Sequence, residues 1–306
     1  MRSLADKRAA VVGLDSFGLA ACEMLAEGGA SVQAIDAGSP PAETAVVSAL
    51  ARRGVGIAAG LGDAAWDIVV TSPAVSDTCP LMREAHTRGL STISEMELGY
   101  RHCLCLTVAV AGTNGKSTAA AMVARVMERG QRRVLVAGQA ARPLCRIAHE
   151  SREQDFVVVE APFGQLEGTD HFRPAVAVLL NLTPTLPSRY LARAGLTRCA
   201  ARLFANQQCF DWAVVQSEAL AELRAAGIEP PSKVITFSAS NRRADLWYDR
   251  GLLQSRLEGW TGPLLDMAKC RVRGPHQAEN LMAALAVGHV MRVPLEAMVE
   301  ALRDCD

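Results

Sequence analysis

The chain has 306 residues, half of them apolar, enough for two ordinary domains with hydrophobic cores, which excludes a disordered tail or a disulfide-stapled mini-protein. Thirty-two Lys and Arg balance thirty-two Asp and Glu, so the basic footprint of a general nucleic-acid binder is missing and no nucleic-acid partner is expected. No stretch is apolar enough to span a bilayer, and Met1-Arg2-Ser3-Leu4-Ala5-Asp6-Lys7 meets an Asp before a signal-peptide core could form, so a cytoplasmic protein without a membrane partner is expected.

Short runs rich in Val and Ile at 9–14, 31–36 and 67–70 read as strands, and Leu19–Glu27, stopped by Gly28-Gly29, reads as a helix between the first two. This alternation predicts a parallel sheet of Rossmann type. The turn after the first strand is Gly13-Leu14-Asp15-Ser16-Phe17-Gly18, and Asp36 ends the second strand. A dinucleotide enzyme needs Gly where Asp15 stands, because a carboxylate there meets pyrophosphate with like charge. A modified nucleotide site and a purely structural turn both stay open.

A second strand and helix system begins near Leu104, placing a boundary at about 98–105 and dividing the chain into domains 1–102 and 103–306. The spacing predicts strands at Leu106–Ala111, Arg133–Ala137, Phe156–Glu160 and Ala175–Leu180, and a helix from Thr118 to about Glu128. Trp247 and Tyr248 fall in a hairpin turning near Asp249 to Gly251, and a last helix opens at Pro294 and runs out at Leu302. The fold class is α/β: an N-terminal Rossmann-like parallel-sheet domain plus a central P-loop ATPase α/β domain.

Strand, then Gly112-Thr113-Asn114-Gly115-Lys116-Ser117-Thr118, then helix is the arrangement in which backbone N–H groups and a helix N-terminus converge on phosphate oxygens. Lys116 supplies a charge to the terminal phosphates of ATP, and Ser117 can place its hydroxyl on Mg²⁺. Val110 stands where the general eight-residue pattern has its first Gly, so the context rather than the pattern carries this reading. Glu160, at the end of an apolar strand of the same domain, is where open α/β sheets place a Mg²⁺ ligand. The nine cysteines form no CxxC pair and read as reduced core thiols, and His149, His171, His276 and His289 read as structural.

With this loop in place the chain resembles the Mur ligases of peptidoglycan synthesis, and among them the D-glutamate-adding branch. The resemblance runs from residue 9 to about 304. It is carried by Ala111–Thr118, Thr71-Ser72-Pro73-Ala74, Ile93–Leu98, Glu160–Glu167, Arg173–Thr183, Arg202–Asn206 and Gly274–Asn280. It implies ATP-dependent ligation of D-glutamate to UDP-N-acetylmuramoyl-L-alanine, or use of a related UDP-sugar, through an acyl phosphate. On this chain it implies Lys116 and Glu160 as catalytic groups, Ser117 and Glu160 as Mg²⁺ ligands, and the loop 112–118 with Asn280 as the ATP site. Ser16, Asp36, Ser72 and Gln139 are implied on the UDP-sugar side.

Several family positions differ. Thr185 and Leu186 stand where the family has an Asp-His pair serving a second metal, and Ala200 where it has a lysine that becomes carbamylated. Phe17, then Ala37 and Gly38, replace polar residues of the UDP site; Gln139-Ala140-Ala141 and Phe163 are further departures. The family's third domain would begin where the chain ends, at Asp306. The alternatives to a ligase are therefore a degenerate ATP-binding protein acting on other cell-wall proteins, or one half of a split enzyme whose C-terminal domain arrives separately. The split reading predicts an exposed apolar patch over Leu295–Leu302.

Overall fold

The computed structural model describes residues 4–37, 44–76, 79–183 and 193–305. The chain divides into two units, one formed by Met1–Leu104, Ala137–Arg152 and Gly164–Phe172, the other by Cys105–Val136, Glu153–Phe163 and Arg173–Asp306.

The first unit begins β1 (Arg8–Val12), α1 (Ser16–Glu27), β2 (Ser31–Ile35), α2 (Thr44–Arg52), β3 (Gly56–Ala58), β4 (Ile68–Thr71), α3 (Pro80–Thr87), β5 (Thr92–Ser94) and α4 (Glu95–His102). Its five strands pair in parallel in the order β3-β2-β1-β4-β5, so the chain reverses direction across the sheet between β1 and β4. Because strand side chains alternate between faces, Ala9 and Val11 of β1 pack with Ala20, Ala21 and Leu25 of α1, while Ala10 and Val12 pack on the other face with Met82 and Ala85 of α3. A strand buried on both faces is a continuous apolar run, which is why the sequence shows no polar alternation there.

Two later segments complete this unit through buried carboxylates on α4. Glu97 accepts from the backbone N–H of His171 (2.9 Å) and Phe172 (3.0 Å) and from Arg101 Nε (2.7 Å). Glu95 accepts from the Cys145 N–H (2.7 Å) and from Gln165 Nε2 (3.3 Å), while the Met96 N–H donates to Gln165 Oε1 (3.2 Å). Both acids are fully buried, so each hydrogen bond offsets the desolvation of a charge or a backbone amide.

The second unit carries β6 (Leu106–Ala111), α5 (Lys116–Arg129) and β7 (Val134–Ala137); α6 (Leu144–Ile147) follows in the first unit's insertion. Then come β8 (Phe156–Glu160), α7 (Phe163–Glu167, which passes into the first unit after Phe163), β9 (Val176–Leu179), α8 (Arg193–Ala201), β10 (Trp212–Gln216), α9 (Ser217–Ala225) and β11 (Lys233–Ser238). The chain closes with β12 (Leu246–Asp249), β13 (Leu252–Ser255), β14 (Gly262–Asp266), α10 (Pro275–Val290) and α11 (Leu295–Arg303). The sheet order is β14-β13-β12-β11-β10-β9-β6-β8-β7. Pairing is parallel from β8 through β6, β9, β10 and β11 to β12, and antiparallel through the β12–β13 hairpin and β14.

Helix α10 is buried on every side from Ala278 to Gly288 and centres the core with α5 and α11. The expected apolar patch on α11 is not found: Met298, Ala301 and Leu302 are buried, and Leu295, Ala297 and Val299 pack against that core. Five cysteines are buried and all nine are free; Cys209 is exposed. Among the described residues no helix is long and apolar enough to cross a membrane.

Candidate functional site

Three adjacent parallel strands of the second unit, β8, β6 and β9, deliver Glu160, the loop 112–115 and Asn181 from their carboxyl ends, the edge at which open α/β sheets bind ligands. Asn181 clamps the loop. Its Oδ1 accepts from the Asn114 N–H (3.0 Å), its Nδ2 donates to the Asn114 carbonyl (3.1 Å), and its own carbonyl accepts from the Thr113 N–H (3.2 Å). Asn181 thereby fixes the loop through both its side chain and its backbone carbonyl.

Helix α5 starts from Gly115, which has φ +84° and no capping side chain. The first bond from the helix back to the loop is Ala119 N–H to the Gly115 carbonyl (2.9 Å), which leaves the preceding amides of the first turn facing outward with the positive end of the helix dipole. A Cβ on residue 115 would sit 2.9 Å from Asn280 Oδ1, so glycine is required both by the left-handed backbone and by the approach of α10. Asn280 is buried and donates to Gln277 Oε1 (3.2 Å).

Lys116 Nζ donates to the carbonyls of Gly112 (2.9 Å) and Thr113 (3.2 Å). Burial lowers its pKa, partly offset by the negative charge of Glu160. An ammonium half-desolvated beside uncharged acceptors is placed to exchange those carbonyls for phosphate oxygens. Ser117 Oγ donates to Glu160 Oε2 (2.8 Å). A hydroxyl and a carboxylate touching beside a phosphate loop are the hard oxygen ligands that suit Mg²⁺, which keeps waters and takes few protein ligands. The Thr113 hydroxyl is buried and has no partner among the described residues, which also fits a loop built around a ligand.

The structure thus brings Gly112 to Thr118, Glu160 and Asn280 together in one unit. It adds Asn181, whose clamp the sequence does not announce, and a neighbouring cluster in which Glu279 accepts from Gln216 Nε2 (3.0 Å) and the Ala239 N–H (3.3 Å). His276 is exposed at the start of α10, and His289 packs edge-on against Trp260 (4.5 Å).

In the first unit, Ser16, Asp36 and Ser72 follow the carboxyl ends of β1, β2 and β4. Here Asp15 has a structural task. Asp15 is the N-cap of α1: its Oδ1 accepts from the Phe17 and Gly18 N–H groups (3.0 Å each), and Ser72 Oγ donates to its Oδ2 (2.5 Å). The carboxylate occupies the place where a dinucleotide enzyme seats pyrophosphate. Gly18 is explained by packing, since a Cβ there would lie 1.8 Å from the Gly13 carbonyl. Gln139 lies in a separate tight turn, bridged to Arg142, ahead of α6.

Of the departures, Ala200 is fully buried within α8. Phe163 is buried at the start of α7 and Phe17 is half-buried on α1. Thr185, Leu186 and Gly38 lie outside the described residues. Among the described residues no group of three His, Cys, Asp or Glu side chains could hold a metal by itself, so a cation here would draw further ligands from phosphate and water.

Comparison with known proteins agrees with this geometry. Residues 110–288 match the Mur ligase middle domain. The chain is 31% identical to a UDP-N-acetylmuramoylalanine–D-glutamate ligase of Acidobacterium capsulatum, over 98% of this chain and 67% of that protein. A ligase of the same name from Pelotomaculum thermopropionicum is also 31% identical, over 99% and 68%. The chain therefore spans about two thirds of the length of these relatives. Among solved structures, the UDP-N-acetylmuramate:L-alanyl-γ-D-glutamyl-meso-diaminopimelate ligase of Neisseria meningitides matches with a TM-score of 0.63 at 20% identity, over 99% of both chains. The UDP-N-acetylmuramate–alanine ligase of Thermotoga maritima matches at 0.56 and 18%, over 98% of this chain and 68% of that one. At these identities the solved structures establish the fold, and the family match and the identity to the D-glutamate ligases establish the lineage: the chain belongs to the Mur ligase family.

Proposed function

We propose that the chain binds Mg·ATP on the loop 112–118 and serves the D-glutamate ligation of peptidoglycan precursor synthesis, with UDP-N-acetylmuramoyl-L-alanine as acceptor. The observation that carries this reading is the contact of Ser117 with Glu160 (2.8 Å) beside an open helix N-terminus and Lys116. In the proposed reaction a substrate carboxylate oxygen attacks the γ-phosphorus, ADP leaves, and the amine of D-glutamate then displaces phosphate from the acyl carbon. Lys116 leaves the Gly112 and Thr113 carbonyls to meet the β- and γ-phosphate oxygens, and the outward amides at the start of α5 stabilise the charge spread over the transferring group. Ser117 and Glu160 would hold Mg²⁺, which supplies charge neutralisation at the phosphates. Asn280, against Gly115, closes the nucleotide side of the loop.

A second reading, an ATP-binding protein without ligase turnover, is favoured by Ala200, a buried methyl group where the family carries a lysine that becomes a metal-binding anion. Phosphate release from Mg·ATP, with and without UDP-N-acetylmuramoyl-L-alanine plus D-glutamate and with Lys116→Ala as the blank, separates the two. Release that needs both substrates supports the ligase. ATP binding without substrate-dependent release supports the second reading, and no binding of ATP refutes both.

A further inference from the structure

Two cysteines of the first unit meet where α6 packs on α4. Cys145 of α6 lies against Gly99 of α4: a Cβ on Gly99 would sit 2.8 Å from the Cys145 nitrogen. Cys103 is the C-cap of α4, one turn beyond Gly99, and its N–H donates to the Gly99 carbonyl (3.0 Å). Residues four apart share a helix face, and their side chains tilt toward the helix N-terminus. The Cys103 side chain therefore leans back over Gly99, which has no side chain to stand between it and Cys145. The rise of one turn, about 5.4 Å, falls within the roughly 4.4–6.8 Å between Cα atoms that a disulfide spans. The two sulfurs also feel each other's charge, since Cys103 contributes to raising the Cys145 pKa.

Both thiols are reduced, and they differ in access. Cys103 is half-buried; Cys145 is buried, and its Sγ donates to the Glu95 carbonyl (3.3 Å). Burial, and after it the negative charge of Glu95, push the Cys145 thiol well above its ordinary range. At neutral pH Cys145 is thus an inert, protonated thiol, and an oxidant from solvent meets Cys103 first. Among the described residues no third His, Cys, Asp or Glu joins the pair to hold a metal, which leaves sulfur redox chemistry.

We infer that Cys103 and Cys145 form a redox switch, in which a peroxide links them by a disulfide that fastens the segment 137–152 covalently to α4. Peroxide transfers an oxygen to the Cys103 sulfur, leaving a sulfenic acid and one water. The Cys145 sulfur then attacks that sulfur: the S–S bond forms, the S–O bond breaks, and the hydroxide leaves with the Cys145 thiol proton as a second water. Two thiols lose two electrons and two protons, and hydrogen peroxide is reduced to two waters. In the reduced state Cys145 is joined to α4 through Glu95, by its N–H to Oε1 (2.7 Å) and by its thiol to the carbonyl. The disulfide replaces the second of these bonds.

The test is treatment of the full folded chain with hydrogen peroxide, followed by alkylation of the remaining thiols, proteolysis without reductant and mass spectrometry. A linked Cys103–Cys145 peptide pair that dithiothreitol separates is expected. The melting temperature should rise by several degrees in the linked form, since the link closes a loop of about 40 residues in the unfolded chain. Cys103→Ser should abolish both effects, whereas Cys105→Ser, in the second unit, should keep them. A cooperative melt under reducing conditions reports that each variant is folded. Four results overturn the inference: no link in the wild-type chain, a link from Cys145 to Cys22 or Cys105 instead, a link that forms only in urea, or a link that leaves the melting temperature unchanged.

Discussion

Glu95 offers a prediction whose sign reverses with pH. Its carboxyl is fully buried, and desolvation pushes its pKa up from 4.5 to about 7 despite the N–H groups of Cys145 and Gln165 that pull it down. A raised pKa means that the folded state holds the proton more tightly than the unfolded state. The stabilisation is therefore complete below about 4.5 and is lost as pH rises through about 7. The gap corresponds to roughly 3 kcal/mol. Glu95→Gln removes the ionisation and keeps an acceptor for the Cys145 N–H. It also places an amide NH₂ against Gln165 Nε2, which forfeits that 3.3 Å bond at a cost of about 1 kcal/mol. At pH 5 the variant should be less stable than the wild type by ~1 kcal/mol, and at pH 8 more stable by ~2 kcal/mol. Urea unfolding of both proteins at both pH values measures the difference, in which the other titrating groups cancel. A difference that does not change with pH, or that changes in the opposite sense, refutes the argument from burial.

Other perturbations follow from the two helix N-termini and the altered family positions. Asp15→Ala removes the cap of α1 and strips the buried Ser72 hydroxyl of its acceptor, for a combined loss of about 2–4 kcal/mol in urea unfolding; an unchanged midpoint would contradict the cap. Ser117→Ala should weaken Mg·ATP binding about tenfold while leaving Mg-free ATP binding nearly unchanged, read by calorimetric titration with and without chelator. Ala200→Lys should lower the melting temperature, because an ammonium at a fully buried position costs several kcal/mol, and should not raise phosphate release. A stable, more active Lys variant would show that α8 has room for the lost group.

Much of the fold was legible because parallel strands buried on both faces are continuous apolar runs: β6 and β8 lie at Leu106–Ala111 and Phe156–Glu160 as expected, and β2 within a residue. The helix after the loop starts at Lys116, two residues before the apolar pattern, because the amphipathic signal begins only where side chains face the core. The phosphate loop and Glu160 were legible from residue types and order. Helices α2, α3 and α4 were not, since all three are short, and in α3 and α4 the apolar stripe is interrupted by charge. The affiliation of 137–152 and 164–172 with the first unit has no local signature either. It is imposed by Glu95 and Glu97, whose partners lie 50 to 75 residues away, and a buried acid looks in sequence like any surface acid.

Helices α1 and α5 follow the same local design, a parallel strand and a glycine turn that present a helix N-terminus at the carboxyl edge of a sheet. One residue separates their chemistry. At α5 the N-cap is Gly115, which has no side chain, so no side-chain carboxylate caps the first-turn amides, and Lys116 donates to two loop carbonyls. At α1 the N-cap is Asp15, which brings its own anion, satisfies two amides and recruits Ser72 as a further donor. A phosphate approaching α1 meets a completed charge instead of a vacancy. A UDP-sugar bound to the first unit must then draw its phosphate contacts from groups other than the Phe17 and Gly18 amides, and Asp15→Ala, by freeing them, should strengthen the binding of inorganic pyrophosphate rather than weaken it.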